Sequence, residues 1–389
     1  MTVPYEAVRA RRELTVVSAD GTRIHVEEYG RADGPPLVLA HGWTCSTLFW
    51  APVVRALAAD FRVIAYDQRG HGRSASPRSR AGYGTTQLAD DLEAVVRAVL
   101  PGGASGAGAS GEGASGAGAS GVGASGEGAS GEGASGDGDG GGAGDGTGDG
   151  YDGEKAVLVG HSMGSMTIMA ASGRTAVQER TAAVLMTSTG SARLLGSTRV
   201  LPPRFSSRRV RRAFHRQLLV SRLPLGPVTP VSRAALKYGV LASGSTREQV
   251  AFSARIVHAC GARQRSEWGR VLAALDLDAE LAALTAPTAV LVGTADKLTP
   301  PVHARGMAAA LPNCTDLIEL PGLGHMTPIE DADAVVAAVR KLAAAHLRVG
   351  AASGDARAVD DPRTDPRTGT GTGTLTDPLT DTRTEEKSA

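Results

Sequence analysis

The sequence has few cysteines and almost no excess of either charge. Its 389 residues include three cysteines, Cys45, Cys260 and Cys314, and none of them belongs to a CxxC pair. A disulfide framework or a zinc site normally needs more cysteines at closer spacing, so the sequence predicts neither. The formal net charge of +1 provides no bulk attraction to nucleic acids or to membrane surfaces.

Long hydrophobic runs and cofactor motifs are also missing. No apolar run approaches the roughly 18 residues that a membrane-spanning helix needs, and the first residues, MTVPYEAVRARREL, lack the apolar core of a signal peptide. We find no metal-ligand cluster, phosphate-binding glycine loop or redox motif. We therefore expect a cytoplasmic protein with no cofactor, no nucleic-acid partner and no stable membrane insertion.

Two segments contain too few apolar residues to form a core. Residues 101–153 consist almost entirely of Gly, Ala, Ser, Asp and Glu and include GASGx repeats, and residues 350–389 are rich in Thr, Asp and Pro. Such segments bury too little apolar surface to offset the entropy of ordering their backbone. The sequence therefore predicts a disordered insert and a disordered tail beside roughly 300 folded residues, the size of one large α/β domain.

The folded part reads as an α/β core interrupted by a helical cap. Short continuous apolar runs such as PLVLA, KAVLVG and TAVLVG alternate with segments of helical periodicity. Continuous apolar strands are typical of a mostly parallel sheet that is flanked by helices on both faces. Helical patterns fill 191–284, between two strands. We assign the core to 1–100, 154–190 and 285–349, the cap to 191–284, the insert to 101–153 and the tail to 350–389.

A serine lies at the junction of a predicted strand and helix in KAVLVGHSMGSM. Gly160 and Gly164 stand two positions before and after Ser162, where side chains would collide as the helix packs against the strand. The turn would expose the hydroxyl beside a helix N-terminus, whose N–H groups favour an oxyanion. We interpret Ser162 as a nucleophile; the alternative is a glycine-rich turn with an incidental serine.

A nucleophilic serine requires a base and an acid that orients it. His325 follows the last predicted strand, and Asp296 follows the strand TAVLVG. Loops at the carboxyl ends of parallel strands converge on one crevice, so these side chains are the candidates. The loop after the strand AAVLMTS contains no carboxylate. Asp276 and Asp278 precede the strand TAVLVG, and we expect them at its far end.

Two backbone N–H groups are candidates for an oxyanion hole. Met163 directly follows the serine, so its N–H would lie at the start of the helix. The loop after PLVLA reads HGWTCST, where Gly42 would permit close approach and the N–H of Trp43 would be the second donor. The indole of Trp43 would also line the acyl site.

Five motifs, taken in order, resemble the α/β-hydrolase superfamily in its capped esterase, lipase and epoxide-hydrolase-like branch. They are HGW at 41–43, DQRGHGRS at 67–74, GHSMG at 160–164, GTADKLTP at 293–300 and GLGHM at 322–326. The resemblance covers roughly residues 13–100 and 154–346. It implies an α/β-hydrolase fold, the catalytic triad Ser162, Asp296 and His325, and the oxyanion donors Trp43 and Met163. It also implies that the 67–74 loop supports the sheet.

The resemblance implies a serine hydrolase that cleaves carboxylic esters of small or lipid-like molecules through an acyl-enzyme. Similar epoxide hydrolases and haloalkane dehalogenases use an aspartate where this chain has Ser162, which argues against an alkyl-enzyme. A cofactor-free haloperoxidase or perhydrolase, a thioesterase, a carbon–carbon bond hydrolase and a non-catalytic ligand-binding protein remain alternatives. The arginine-rich stretch 206–219 would suit a carboxylate, a phosphate or a lipid headgroup, or it is a solvated helix.

Overall fold

The structure is a computed structural model that describes residues 5–100, 102, 153–201 and 207–347. The predicted insert at 101–153 lies outside the described residues except at positions 102 and 153. The predicted tail at 350–389 lies outside them entirely. The disorder of both segments stays a prediction.

A mostly parallel sheet of eight strands forms the centre of the fold, as the apolar runs predicted. Its strand order is β1-β2-β4-β3-β5-β6-β7-β8. Strand β2 is antiparallel to β1 and β4, and the other neighbours are parallel. The strands are β1 (Arg12–Val17), β2 (Arg23–Gly30), β3 (Pro36–Ala40), β4 (Arg62–Tyr66), β5 (Ala156–His161), β6 (Thr181–Thr187), β7 (Thr288–Gly293) and β8 (Cys314–Leu320).

Helices cover both faces of this sheet. Within the described residues they are α1 (Ala51–Leu57), α2 (Thr85–Val99), α3 (Met163–Ala170), α4 (Thr175–Arg180), α5 (Leu194–Ser197), α6 (Arg208–Val220), α7 (Pro230–Val240), α8 (Arg247–Ala259), α9 (Ala262–Ala273), α10 (Asp278–Ala282), α11 (Pro301–Ala310), α12 (Thr327–Glu330) and α13 (Ala332–His346). Two short 3₁₀ turns occupy Thr47–Trp50 and Arg80–Gly82.

The two apolar cores follow from the burial of whole strands. Strands β3, β5 and β7 are buried along their length, so their alternate side chains fill the space on opposite faces of the sheet. Helices α2 and α3 pack on one face, and α1 and α13 pack on the other. Leu88, Leu92, Val95 and Val99 form the buried stripe of α2 at three- to four-residue spacing.

The segment between β6 and β7 contains helices α5 to α10, in agreement with its helical pattern. Helix α9 packs directly on the core: Trp268 is completely buried, and its Nε1 donates to the carbonyl oxygen of Arg69 at 3.0 Å. The assignment of 191–284 as a cap stays a prediction. In the part of the chain that the structure describes, no helix combines the length and hydropathy needed to cross a bilayer; the cytoplasmic location stays a prediction.

Candidate active site

Ser162 occupies a strained turn between β5 and α3. Its backbone angles are φ 51° and ψ −114°, a region that residues with a Cβ atom rarely adopt. Its N–H donates to Thr187 O at 2.9 Å, and its carbonyl oxygen accepts from Thr189 Oγ1 at 2.9 Å and from Ser165 N at 3.0 Å. Bonds on both sides of the turn therefore hold the strained conformation in place.

The flanking glycines are required by close contacts. A Cβ atom at Gly160 would lie 2.5 Å from the backbone nitrogen of Ser165, in the first turn of α3. A Cβ atom at Gly164 would overlap the carbonyl oxygen of Ala40 at the end of β3. Both neighbours are backbone atoms that cannot rotate away, so the helix approaches the sheet this closely only because these two positions lack side chains.

His325 and Asp296 come together at the carboxyl ends of β8 and β7. His325 Nδ1 lies 2.8 Å from Asp296 Oδ2, and both side chains are buried. The other carboxylate oxygen accepts from Leu298 N at 2.8 Å and Thr299 N at 3.0 Å. Because an ionised carboxylate only accepts hydrogen bonds, the proton of a neutral imidazole resides on Nδ1, and Nε2 keeps its lone pair.

Thr299 adds a third group to this pair, which the sequence analysis did not single out. Its Oγ1 donates to Asp296 Oδ2 at 2.8 Å and lies 3.2 Å from His325 Nδ1. The hydroxyl therefore contacts both members of the pair. A threonine three residues after an aspartate in a loop is a common local turn pattern, which is the only signal in the sequence that could have indicated it.

The loop of His325 is attached to the serine turn through His161. His161 Nε2 lies 2.9 Å from the carbonyl oxygen of His325, and the centroids of the two imidazole rings are 5.0 Å apart. His325 N donates to Val240 O at 2.9 Å, at the end of α7. The structure thus places His325 beside the turn, although no hydrogen bond of the described residues joins His325 to Ser162 Oγ.

Glu330 provides a second attachment, which no sequence pattern indicated. Its Oε2 accepts from Gly324 N at 3.0 Å, and its Oε1 accepts from Ser245 Oγ at 2.8 Å and from Ala242 N. Burial raises the pKa of this carboxyl group. Glu330 therefore fastens the residue that precedes His325 to the segment between α7 and α8.

The two predicted oxyanion donors lie in the loop after β3 and at the first residue of α3. In the described ranges, neither the N–H of Trp43 nor that of Met163 donates to a protein acceptor. Gly42 lies close to the serine turn, since a Cβ atom there would be 3.2 Å from Ser162 Cβ. The indole Nε1 of Trp43 donates to Arg265 O at 3.1 Å, which ties this loop to α9. The role of the indole in lining an acyl site stays a prediction.

The 67–74 loop holds the sheet and its neighbours together, as the resemblance implied. Arg69 is completely buried and binds Asp91 through two hydrogen bonds, Nε to Oδ2 at 2.7 Å and Nη2 to Oδ1 at 2.6 Å. A third bond runs from Arg69 Nη1 to Asp20 Oδ2 at 2.7 Å, in the turn between β1 and β2.

The described residues contain no group of three or more His, Cys, Asp or Glu side chains placed to hold a metal ion.

Asp278 is not where the sequence analysis expected it. Its Oδ1 accepts from Ser191 Oγ at 2.5 Å and its Oδ2 from Arg193 Nη2 at 3.0 Å, in the segment that follows the carboxyl end of β6. The expectation was wrong because α10 and the residues after it separate Asp278 from β7. Asp276 forms a bridge with Ala192 in the same segment. The partner of His325 is nonetheless Asp296.

Comparison with known proteins identifies a family. The family model described as "Alpha/beta hydrolase family" matches residues 37–339. The "Probable oxidoreductase EphD" of Mycobacterium tuberculosis is 45% identical over 87 residues, which are 22% of this chain and 15% of that protein. The "Non-heme chloroperoxidase" of Streptomyces lividans is 40% identical over 86 residues, 22% of this chain and 30% of that protein. The matched stretches therefore span less than a third of these relatives.

Solved structures share the fold over most of the chain. The thermophilic esterase of Thermogutta terrifontis superposes with a TM-score of 0.59, covering 85% of this chain and 97% of that one at 19% sequence identity. At this identity the likeness concerns the arrangement of strands and helices. It agrees with the mostly parallel sheet and flanking helices that the sequence predicted.

Proposed function

This chain belongs to the alpha/beta hydrolase family, and from that premise we propose that it is a serine hydrolase that cleaves carboxylic esters through an acyl-enzyme on Ser162. The observation that carries the proposal is the contact of 2.8 Å between His325 Nδ1 and Asp296 Oδ2. It leaves His325 Nε2 able to accept a proton, beside a turn that presents a serine.

In the proposed first step Ser162 Oγ attacks the carbonyl carbon of the ester while His325 Nε2 takes the hydroxyl proton. Asp296 stabilises the imidazolium that forms. The carbonyl oxygen becomes an oxyanion, and the N–H groups of Trp43 and Met163 donate to it, since neither has another acceptor in the described structure. When the tetrahedral intermediate collapses, His325 returns the proton to the leaving alcohol.

The second step regenerates the enzyme. Water attacks the acyl group on Ser162 while His325 Nε2 takes a proton from it, and the same two N–H groups bind the second oxyanion. The carboxylic acid leaves as the proton returns to Ser162 Oγ. We propose small or lipid-like esters as the substrate class. The segment between β6 and β7 reaches the His325 loop, where His325 N donates to Val240 O, so its side chains would border the acyl site.

A covalent label tests the nucleophile directly. The purified full chain is incubated with a fluorophosphonate, and the intact mass and the labelled peptide are determined. We expect one adduct, located on Ser162, that is absent from Ser162→Ala and present in Ser79→Ala, a matched control at an exposed serine. A folded protein that acquires no adduct, or acquires it at another residue, would contradict the proposal and favour a ligand-binding role.

Peroxide-dependent halogenation or perhydrolysis is the second candidate function. It is supported by the similarity to a chloroperoxidase over 86 residues, and it would use the same Ser162, Asp296 and His325. The two functions separate in an assay that follows halogenation of a phenol indicator with and without hydrogen peroxide, next to hydrolysis of the same carboxylic ester. Halogenation that exceeds ester hydrolysis would make the peroxide reaction the main activity.

A further inference from the structure

One long segment of the chain contains no acidic residue. From Arg180 to Arg247 the sequence has thirteen arginines and lysines and no aspartate or glutamate, although the whole chain has 41 basic and 40 acidic residues. The near-neutral total therefore conceals a strongly cationic stretch, which includes helices α6 and α7. Charge of one sign at this density repels a like-charged surface and attracts an anionic one.

The same segment carries most of the exposed large apolar side chains. Ten such side chains are exposed in the described part of the chain, and eight of them lie between residues 210 and 238. They are Val210, Phe214, Leu218, Leu223, Leu225, Val228, Val231 and Tyr238. A stretch that exposes this many large apolar side chains is a candidate interaction surface, whereas isolated exposed apolar residues are ordinary.

Helix α6 presents its apolar and cationic residues on different faces. Val210, Phe214 and Leu218 follow one another at intervals of four residues, so they share one face of the helix. All three are exposed, with Phe214 46% accessible. Of the α6 side chains that the structure describes, only His215 is fully buried, so most of the helix circumference faces solvent.

Three arginines occupy the opposite side of α6. Arg209, Arg212 and Arg216 are exposed, and none of them forms an ion pair with a described residue. Their charges are therefore not neutralised within the described protein. An apolar face with arginines on the polar face is the arrangement of helices that lie in the plane of a bilayer interface.

We propose that the surface formed by residues 209–231 adsorbs to an anionic lipid bilayer. In this arrangement Val210, Phe214, Leu218 and the apolar side chains of the following loop enter the boundary between headgroups and acyl chains. The arginines bind the phosphate groups, because their long side chains reach the headgroup level. The inference does not rest on Ser162 chemistry.

The combination of charge and apolar area selects this partner over others. A second copy of the chain would bring two cationic segments together, and that repulsion disfavours a dimer through this surface. A nucleic acid would match the arginines but would leave the apolar side chains in water. An anionic bilayer satisfies both, since it offers phosphate groups above hydrocarbon.

Sedimentation with lipid vesicles tests the proposal on the full chain. The vesicles consist of phosphatidylcholine alone or of an equimolar mixture of phosphatidylcholine and phosphatidylglycerol, at low salt. We expect binding to the mixed vesicles and at least tenfold weaker binding to phosphatidylcholine alone. Arg209→Gln/Arg212→Gln/Arg216→Gln should weaken binding to the mixed vesicles about a hundredfold, at roughly a tenfold loss or less per arginine near the surface.

The apolar contribution is tested separately. Val210→Ser/Phe214→Ser/Leu218→Ser should weaken binding to the mixed vesicles about tenfold or more, because these side chains no longer gain from leaving water. The control Val17→Ser/Val302→Ser removes exposed apolar side chains elsewhere and should bind like the wild type, as should Arg23→Gln at an exposed arginine. Circular dichroism and the melting temperature check that each variant is folded.

Three outcomes would overturn the proposal. The first is a folded wild-type protein that sediments with neither type of vesicle. The second is equal binding by the wild type and the triple arginine variant. The third is concentration-dependent self-association, measured by analytical ultracentrifugation, that the triple serine variant abolishes while vesicle binding is absent; this result would identify a second copy as the partner.

Discussion

The described residues contain two buried aspartate–histidine pairs, and the two pairs differ in their hydrogen bonds. In the first, His325 Nδ1 lies 2.8 Å from Asp296 Oδ2. In the second, His41 Nε2 lies 3.8 Å from Asp67 Oδ1. Both pairs follow parallel strands of the central sheet and all four side chains are buried, so residue type and burial alone do not distinguish them.

In the second pair, both ring nitrogens of His41 and both carboxylate oxygens of Asp67 form hydrogen bonds with backbone groups. His41 Nδ1 lies 2.8 Å from Gly42 O, and its Nε2 accepts from Gln68 N at 3.0 Å. Asp67 Oδ1 accepts from Thr47 N at 2.7 Å and Oδ2 from Arg73 N at 2.8 Å. Burial holds the pKa of His41 well below its ordinary value and raises the pKa of Asp67 to about 6.

The difference shows what makes a buried histidine available for chemistry. Both ring nitrogens of His41 are committed to backbone partners, so this ring fixes the loops around it. His325 uses Nδ1 for Asp296, while its Nε2 accepts no hydrogen bond from the described residues. A general base needs that unoccupied nitrogen, and we therefore expect the two pairs to respond oppositely to the same substitutions.

The largest effect should come from exchanging each histidine for glutamine. His325→Gln should lower kcat for ester hydrolysis about a millionfold, the loss typical of removing a triad base, with little change in melting temperature. His41→Gln should instead lower the melting temperature and leave the kcat of the remaining folded enzyme within about tenfold. Steady-state kinetics and thermal unfolding of both variants measure this, and a His41→Gln enzyme that is folded but inactive would break the distinction.

Substitution of the two aspartates should show the same contrast between activity and stability, with a smaller effect on kcat. Asp296→Asn should lower kcat about 10⁴-fold, because the amide no longer enforces the tautomer with its proton on Nδ1. Asp67→Asn keeps one acceptor for two backbone N–H donors and should cost about 1–3 kcal/mol of unfolding free energy. Denaturant titration and kinetics of both variants test the pair. Equal losses of activity in the two variants would contradict a structural role for Asp67.

The buried His71 should make the free energy of unfolding depend on pH. Its Nε2 accepts from Thr44 N at 3.2 Å, and its Nδ1 lies 3.2 Å from Arg69 O. Burial lowers the pKa of His71 to about 4, whereas an unfolded histidine titrates near pH 6.5. Below about pH 6.5 the unfolded chain binds a proton at His71 that the folded protein does not bind. The contribution of His71 to the free energy of unfolding is therefore fully present only above about pH 6.5. It is lost as pH falls, by about 3 kcal/mol at pH 4.

Denaturant unfolding from about pH 7 to about pH 4 measures this dependence. His71→Gln should flatten the loss of stability toward acid pH. Asp67 acts in the opposite direction, because its pKa is raised to about 6 and the folded protein binds a proton between about pH 4 and 6 that the unfolded chain has released. Asp67→Asn should therefore steepen the acid loss. If the free energy of unfolding of His71→Gln depended on pH in the same way as that of the wild type, the lowered pKa of His71 would be refuted.

The smallest effect concerns Thr299, which contacts both Asp296 and His325. Thr299→Val removes the hydroxyl at nearly constant volume and should lower kcat about tenfold, the loss of one hydrogen bond to a charged group. Thr299→Ser retains the hydroxyl and should restore most of the activity. We expect an unchanged KM in both variants and a small drop in melting temperature in Thr299→Val, because the hydroxyl is buried and donates to Asp296. A kcat of Thr299→Val that equals the wild-type value after correction for the unfolded fraction would mean that Thr299 acts only on stability.

Much of the fold could be predicted because its signals are local. Continuous apolar runs mark strands that are buried on both faces, and the strands lie where those runs occur. The turn at Ser162 was predictable because the steric exclusion at Gly160 comes from Ser165 in the same turn. Asp296 and His325 were predictable because residues that follow parallel strands converge at one edge of the sheet.

Other features could not be predicted because they depend on contacts between distant segments. Glu330 fastens the His325 loop through Ala242 and Ser245, 88 and 85 residues away. The position of Asp278 depends on its bonds to Ser191 and Arg193, which lie 87 and 85 residues away. The exposure of Val210, Phe214 and Leu218 was equally hidden, since the same spacing would serve a helix whose apolar face is buried.

The sequence by itself determined the order of strands and helices, the turn at Ser162 and the chain positions of Asp296 and His325, because sterics and hydrophobic periodicity act over short distances. Only the tertiary structure decided that His41 has partners on both ring nitrogens while His325 Nε2 has none among the described residues. That choice depends on partners such as Gln68 for His41 and, across 164 residues, His161 for the backbone of His325. Whether a buried nitrogen has a hydrogen-bond partner depends on the segments packed around it, and the order of residues alone does not specify these segments.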